Sequence, residues 1–362
     1  MTFKKRRGRS IGRETAFLVV PLLAASMALM PPTVDLPRAE ADDSGAAAQR
    51  VVILPSFLAA YATFDQKLGH VAGTSRIEKA DFEKDILSRI YSDVDAIVPV
   101  NIPPDPEAML LLNPDALITQ DIWLPMLKAV GLHRVSSYQY SASLDARLAQ
   151  WLELGNISGK MARAQALRTH FLTSRDKLKA SIGSRKEHPR VAFFIGGTEV
   201  GLGFLYGEIL HLNGLIDVLG AINVSRGNRI RTVPTPESVA VLDPDFIFLG
   251  SDLAADEGAK KLYLSHEWQI VRAVRDKRVY RIHPSHFFAP TLDENLLLQW
   301  FAEILYPDLP RTLRSAYREE FHFIHDTTLT DDDLDKLLSI DQNAMSAGYM
   351  RFSRKNAINR SH

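Results

Sequence analysis

The 362-residue sequence contains no cysteine. No disulfide can staple the fold, so hydrophobic burial must hold it together. The same absence removes any cysteine at which a lipid could be attached near the N-terminus. Net charge is missing too, because 43 basic side chains balance 43 acidic ones. That balance argues against nucleic acid or a broad anionic membrane surface as partner. The apolar run from Ala16 to Met30 is interrupted by Pro21 and Ser26 and falls short of the ~20 residues that span a bilayer. No nucleophile elbow, zinc-ligand box or paired-carboxylate site is evident. No catalytic residue, resident metal or cofactor is therefore expected.

What is present begins at the N-terminus. Lys4, Lys5, Arg6, Arg7 and Arg9 precede the apolar run, and Ala39-Glu40-Ala41 closes the polar stretch after it. Charge, then grease, then a small-x-small site is the order of a secretory signal, with cleavage expected after Ala41. The pair Arg6-Arg7 resembles a twin-arginine signal, but the apolar and lysine residues expected just behind it are missing, so both export routes stay open. An uncleaved anchor is the alternative. Removing residues 1–41 leaves 36 basic and 40 acidic side chains, a net −4. Without a lipid site, a protein free between two membranes, in the periplasm, is expected. A mature chain of about 320 residues exceeds the usual size of one core, so two lobes are expected.

Short apolar runs alternate with amphipathic segments. Val51-Val52-Ile53-Leu54, Ala96-Ile97-Val98-Pro99-Val100, Ala116-Leu117-Ile118, Val191-Ala192-Phe193-Phe194-Ile195 and Phe246-Ile247-Phe248-Leu249 predict buried strands of parallel sheets, hence an α/β fold. The two halves repeat at an offset of 130 residues: Pro104 to Ile118 aligns with Pro234 to Phe248. Asp105 or Thr235 caps a helix, Pro106 or Pro236 fills its first position, and Glu107 or Glu237 sits in its first turn. Pro114 or Pro244 ends the helix and a strand follows. One device used twice implies two similar lobes. Between the copies, Ile157, Met161, Ala164, Phe171, Leu178 and Ile182 mark one face of a long helix over about Ser158 to Gly183, with Lys, Arg and Gln opposite. The expected organisation is a first lobe over 42–156, a bridging helix over 157–186 and a second lobe over 187–310. A cleft is expected between the lobes at the carboxyl ends of their strands. Residues 311–362 add a helical extension: Thr330 before three aspartates and Leu334, Leu337 and Leu338 behind them predict a capped helix packed on the second lobe.

The signal, the opening Arg50-Val51-Val52-Ile53-Leu54, the two Pro-Glu-helix-Pro-Asp-strand segments and the single bridging helix resemble the helical-backbone class of periplasmic binding proteins. That class serves importers of ferric siderophores, haem, cobalamin and related metal chelates. The resemblance covers residues 50 to 310, and Gly203 to Gly214 is similar to a glycine-bounded helix of its second lobe. It implies a monomeric receptor that catalyses nothing, binds a metal chelate and hands it to a dimeric ABC permease. It also implies that Glu107 and Glu237 meet arginines on the two permease subunits, while a bland reading leaves them offsetting a helix dipole. The aromatic-rich opening of the family is only partly present, in Phe57 and Tyr61, so ligand identity does not carry over.

Ligand contacts are expected from both lobes. Tyr61, Arg76 and Trp123 follow predicted strands or flank their ends; Trp123 could equally be core. Arg226, Arg229 and Arg231 form a basic loop that suits carboxylate or catecholate oxygens or is plain solvated surface. His286 and Phe287 follow the strand at Arg278 to Ile282, with hydrogen bonding favoured over metal ligation. Gly196 to Gly203 follows a strand as a nucleotide loop would, but Gly207 comes one position late for G-x-G-x-x-G and no phosphate-loop lysine follows. These glycines are read as letting backbone approach a ligand. His322 and His325 are read as a structural pair. An excess of arginine favours an anionic ferric siderophore, with haem, cobalamin or a nickel chelate as alternatives. An exported enzyme acting on a metal chelate is the alternative class.

Overall fold

The computed structural model describes residues 47–55, 57–132, 134–138, 143–183, 185–195, 204–205, 207, 210–227, 233–250, 257–283 and 293–354. The first lobe runs β1 (Val51–Ile53), α1 (Leu58–Asp65), β2 (Val71–Ser75), α2 (Arg76–Lys84), α3 (Ile86–Ile90), β3 (Val98–Val100), α4 (Pro106–Leu112), β4 (Ala116–Gln120), α5 (Leu124–Ala129), β5 (Val135–Tyr138) and α6 (Leu144–Ile157). After α7 (Met161–Ile182), the second lobe runs β6 (Arg190–Ile195), β7 (Phe204–Leu205), α8 (Leu210–Val218), β8 (Ile222–Asn223), α9 (Pro236–Leu242), β9 (Phe246–Gly250), α10 (Gly258–Leu264), α11 (Arg272–Arg275), β10 (Val279–Arg281) and α12 (Glu294–Leu305). The tail adds α13 (Leu313–His325) and α14 (Asp331–Leu337). The first sheet has the order β3-β2-β1-β4-β5; the second has β10-β9-β6-β7, with β8 also on β6. Among the described strands, β7 alone pairs antiparallel.

Period-two alternation sends neighbouring side chains of a strand to opposite sheet faces, and both faces are covered. Val51 and Ile53 join one core with Tyr61 and Phe171, while Val52 and Leu54 join another with Met109 and Leu127. In the second lobe Val191 and Phe193 face the core that holds α12, and Ala192 and Phe194 face the one that holds Val239 and Ala259. This double cover is why these strands read as continuous apolar runs. One strand departs from expectation. Residues 92–96 form a 3-10 turn, and β3 begins only at Val98. It is an exposed edge strand, the one place in a sheet that accepts Pro99.

The long helix forms between Met161 and Ile182, and Ala164, Phe171 and Ile182 are buried as expected. Gly155 lets α6 close on it, since a Cβ there would lie 2.3 Å from the Ala164 Cβ. Two positions reverse the expected faces: Met161 is exposed, and Arg175 is buried. The reason for the second is a buried charge cluster. Glu294, at the start of α12, accepts from Arg147 on α6 at 2.8 Å and from Arg175 on α7 at 3.2 Å. Burial pushes the Glu294 carboxyl up, and the two arginines pull it back down. Asn295 Nδ2 adds a bond to the Phe171 carbonyl at 2.8 Å.

The tail does not pack on the second lobe alone. Along α13, Tyr317 and Phe321 enter the second lobe's core, whereas Ile324 enters the first lobe's. Tyr91 Oη meets His325 Nδ1 at 2.7 Å, Arg163 donates to the Ile324 carbonyl, and Arg89 grips Asp333 through two bonds of 2.8 Å. The capping box of Thr330 and Asp333 forms as expected, with Leu334, Leu337 and Leu338 buried behind it. The double allegiance runs along the helix: residues 317, 321 and 324 form one i, i+4, i+7 stripe, which passes from the second lobe's core to the first lobe's as α13 advances. Among the described residues, no helix is long and apolar enough to cross a membrane.

Candidate functional site

The repeat seen in sequence is a repeat in space. Asp105 Oδ1 accepts from the Glu107 amide at 3.1 Å, and Thr235 Oγ1 accepts from the Ser238 amide at 3.2 Å. Each helix ends in a left-handed residue, Asn113 at φ 44° and Asp243 at φ 42°, types that tolerate this conformation best after glycine. Each following strand lies beside the first strand of its lobe, Val51 opposite Ala116 and Val191 opposite Phe246. An arginine opens each first strand and clamps the helix end: Arg50 Nη2 donates to the Leu112 carbonyl at 2.8 Å, and Arg190 Nη2 to the Leu242 carbonyl at 2.9 Å. Glu107 and Glu237 are both exposed in the first turns of α4 and α9.

The carboxyl edge of the first sheet carries two of the three expected ligand residues of that lobe. Arg76 directly follows β2 at the start of α2, exposed, with no ion pair among the described residues. Trp123 ends a 3-10 turn directly after β4 and is half-buried against the core around Val52 and Leu54. Its indole Nε1, with Thr119 Oγ1 and Asp121 Oδ2, is buried without a hydrogen-bond partner among the described residues. Three orphaned polar groups within five residues at one strand end are unusual; sequence spacing alone gives no signal for Thr119 or Asp121. Ile77 and Ile122 stand exposed on the same edge.

Tyr61 requires correction. It is fully buried, packs among Phe64 and Leu58, and its hydroxyl meets His70 Nε2 at 2.7 Å. Burial raises its pKa strongly, and no surface of it can line a cleft. The basic loop also reads differently. Arg226 Nη2 donates to Asp217 Oδ1 at 2.7 Å, so its charge is matched within its own lobe. Arg229, Arg231, His286 and Phe287 lie outside the described residues, as do Gly196 to Gly203. Gly207 serves the packing of the second lobe, because a Cβ there would come within 1.7 Å of the Ser225 carbonyl oxygen. Its own carbonyl accepts from Asn213 Nδ2 at 2.8 Å. His322 and His325 are not a pair. His322 is exposed, whereas His325 turns inward to Tyr91 and burial lowers its pKa to about 4.

A cavity of about 510 Å³ lies beneath the tail at the amino ends of β9 and β10, between Phe246, Arg278, Tyr280, Tyr349 and Arg351. It is formed by the tail folding over the second lobe and is at the opposite end of the sheet from the carboxyl edge. No group of three or more potential metal ligands occurs among the described residues.

By sequence, no curated protein matches the chain significantly. Among solved structures, a periplasmic solute binding protein of Veillonella parvula aligns over 82% of this chain and 94% of its own, at 20% identity and TM-score 0.70. A periplasmic haem-binding protein of Pseudomonas aeruginosa aligns over 73% of this chain and 94% of its own, at 20% identity and TM-score 0.58. A molybdate periplasmic binding protein of Haemophilus influenzae aligns over 78% and 94%, at 17% identity and TM-score 0.63. At these identities the likeness establishes the fold. The family model described as periplasmic binding protein matches residues 78–286, more than half of the chain. The α/β lobes, the repeated unit and that match agree: the chain belongs to the periplasmic binding protein family, whose members are substrate-binding proteins of ABC importers and not enzymes.

Proposed function

We propose that this chain captures an anionic metal chelate, a ferric siderophore first, and delivers it to an ABC permease whose two subunits are met by Glu107 and Glu237. The observation that carries the receptor reading is the exposed Pro-Glu helix start, repeated on both lobes with a side-chain N-cap and the same arginine clamp. Two like charges on two equivalent surfaces suit a partner with two-fold symmetry. For the ligand, Arg76 offers an exposed cation at the carboxyl end of β2, on the same sheet edge as the end of β4, two strands away, where Trp123, Asp121 and Thr119 leave polar atoms unmatched. Carboxyl ends of parallel strands are where ligands of such sheets bind. Arg229, Arg231, His286 and Phe287 complete the proposed ligand set from the second lobe. The reading includes export, with residues 1–41 removed after Ala41, and a monomer in the periplasm.

A titration panel of ferric catecholate, hydroxamate and citrate chelates, haem, cobalamin and nickel-histidine, read by tryptophan emission, tests the ligand. A ferric siderophore should quench emission and bind more weakly as salt rises, and Arg76→Gln should weaken it several-fold. Tight, salt-insensitive binding of cobalamin alone would end the siderophore assignment. Glu107→Ala and Glu237→Ala should leave chelate affinity unchanged and cut uptake, most severely together. Haem is the second reading, favoured by Ile77 and Ile122 beside Arg76 and Trp123, which offer apolar wall to a macrocycle.

A further inference from the structure

Helices α4 and α9 each present, at matching places, an apolar side chain left almost entirely in solvent; Leu110 of α4, 50% exposed, is a second and partly covered one. Leu111 is 86% exposed and Val241 is 85% exposed. Inward packing of the two helices is done by Met109 and Val239, both fully buried. Single exposed aliphatic residues are ordinary on protein surfaces. These two, however, occupy equivalent places of the repeat, 130 residues apart. Each follows its glutamate by four residues, so on each lobe a carboxylate and an aliphatic side chain lie one turn apart on the same helical face. The neighbouring pairs Ala108 and Ser238, and Leu110 and Ala240, have changed character or size between the copies, while the exposed position has stayed branched and aliphatic. Packing within either lobe supplies no reason for this.

We infer that Leu111 and Val241 are apolar docking knobs, each seating in an apolar recess beside a cationic side chain on one subunit of the two-fold permease. This rests on the docking role given to Glu107 and Glu237 and adds the part of the contact that charge cannot supply. The carboxylates provide steering and register, which salt screens. The knobs provide a desolvated contact, whose strength scales with apolar area removed from water and survives salt. The partner is thus a membrane protein presenting the same two features twice, a cation and a recess one helical turn apart.

Equilibrium binding of the full mature chain to its permease in nanodiscs, at low salt and at about 0.5 M salt, tests the inference. Leu111→Ser and Val241→Ser should each weaken binding about tenfold and together about a hundredfold, equally at both salt concentrations and with unchanged thermal midpoints. Glu107→Gln and Glu237→Gln should weaken it mainly at low salt. Serine variants that bind like wild type while the glutamine variants lose affinity would overturn the knobs and leave the docking role standing. A serine-variant loss that disappears at high salt would also overturn them. A wild-type chain that binds no permease, or glutamine variants that bind as wild type, would bring down the docking reading itself. A wild-type dimer in solution that the double serine variant dissolves would reassign the knobs to self-association.

Discussion

The helix–turn–strand units of the two lobes share a side-chain N-cap, a left-handed C-terminal residue and an arginine clamp, yet they are not equally fastened. In the second lobe Arg272 adds bonds of 2.9 Å to Asp243 and 2.6 Å to Asp245. In the first lobe the residue corresponding to Asp243 is the neutral Asn113, and Arg50 holds the end of α4 through the Leu112 carbonyl. The sheets differ more: β2 and β3 extend the first sheet in parallel beyond β1, whereas the antiparallel β7 flanks β6 in the second. The units agree on the outer surface, where a symmetric partner would touch, and the lobes diverge in what surrounds it. Equivalent surfaces on non-equivalent lobes need a junction that fixes their separation, and the structure provides two. One is the buried Arg147–Glu294–Arg175 cluster between α6, α7 and α12; the other is the tail, which enters both cores.

The largest effect is expected at that junction. Glu294→Ala would remove the buried carboxylate that two guanidinium groups share, one of them 2% exposed, and should cost about 3–5 kcal/mol. Urea unfolding of the purified variant measures it. A cost no larger than that of an exposed glutamate such as Glu107 would show that the cluster does not join the lobes.

Next comes the tail, through His325. Its folded-state pKa is lowered to about 4 by burial, while an unfolded histidine titrates near 6.5. The unfolded chain therefore holds the extra proton between these values. Stability should fall as pH falls from about 6.5 to about 4, by up to about 3 kcal/mol, and the histidine adds no further slope below that. His325→Gln keeps an acceptor for Tyr91 and should flatten this limb of the stability curve. An unchanged slope in the variant would mean that His325 is not held neutral between the lobes.

The two arginine clamps sharpen the lobe comparison directly. Arg50→Ala should cost about 1 kcal/mol, and Arg190→Ala less, because Arg272 still grips Asp243 and Asp245. Equal costs, or a larger one at Arg190, would contradict the reading that the second unit is fastened twice. The smallest expected signal is a change of shape. With a helix, a buried charge cluster and a tail all joining the lobes, ligand binding should hardly alter the radius of gyration in small-angle scattering. A large contraction would show that these joints yield.

Much of this is legible in the order of amino acids. The strands β1, β4, β6 and β9 stand out because burial on both faces demands unbroken apolar runs. The repeat is legible because a capping residue, a proline and a first-turn glutamate are local devices, each satisfied within a few residues of chain. Strand β2 leaves no such mark: Val71-Ala72-Gly73-Thr74-Ser75 has little apolar bulk, and it is a strand because β1 and β3 flank it. Tyr61 belongs to the core and not the cleft, a choice its sequence position leaves open because an aromatic after a strand serves either equally well. Its bond to His70 settles the matter in three dimensions. Arg175 looks like a solvent-facing residue of a long helix, and only a carboxylate 119 residues away makes its burial tolerable.

What the sequence determined by itself is whatever its local chemistry enforces: the α/β class, the twin Pro-Glu helix starts, the bridging helix and the capped helix of the tail. The interactions responsible lie within one or two turns and leave periodic or fixed-offset traces. Only the tertiary structure decided which lobe the tail serves, which arginines face solvent and which are paired with an acid, and which polar atoms at the end of β4 are left unmatched. Those outcomes depend on pairings between residues far apart in the chain. Desolvation and distance fix such pairings, and neither leaves a local trace in the order of amino acids.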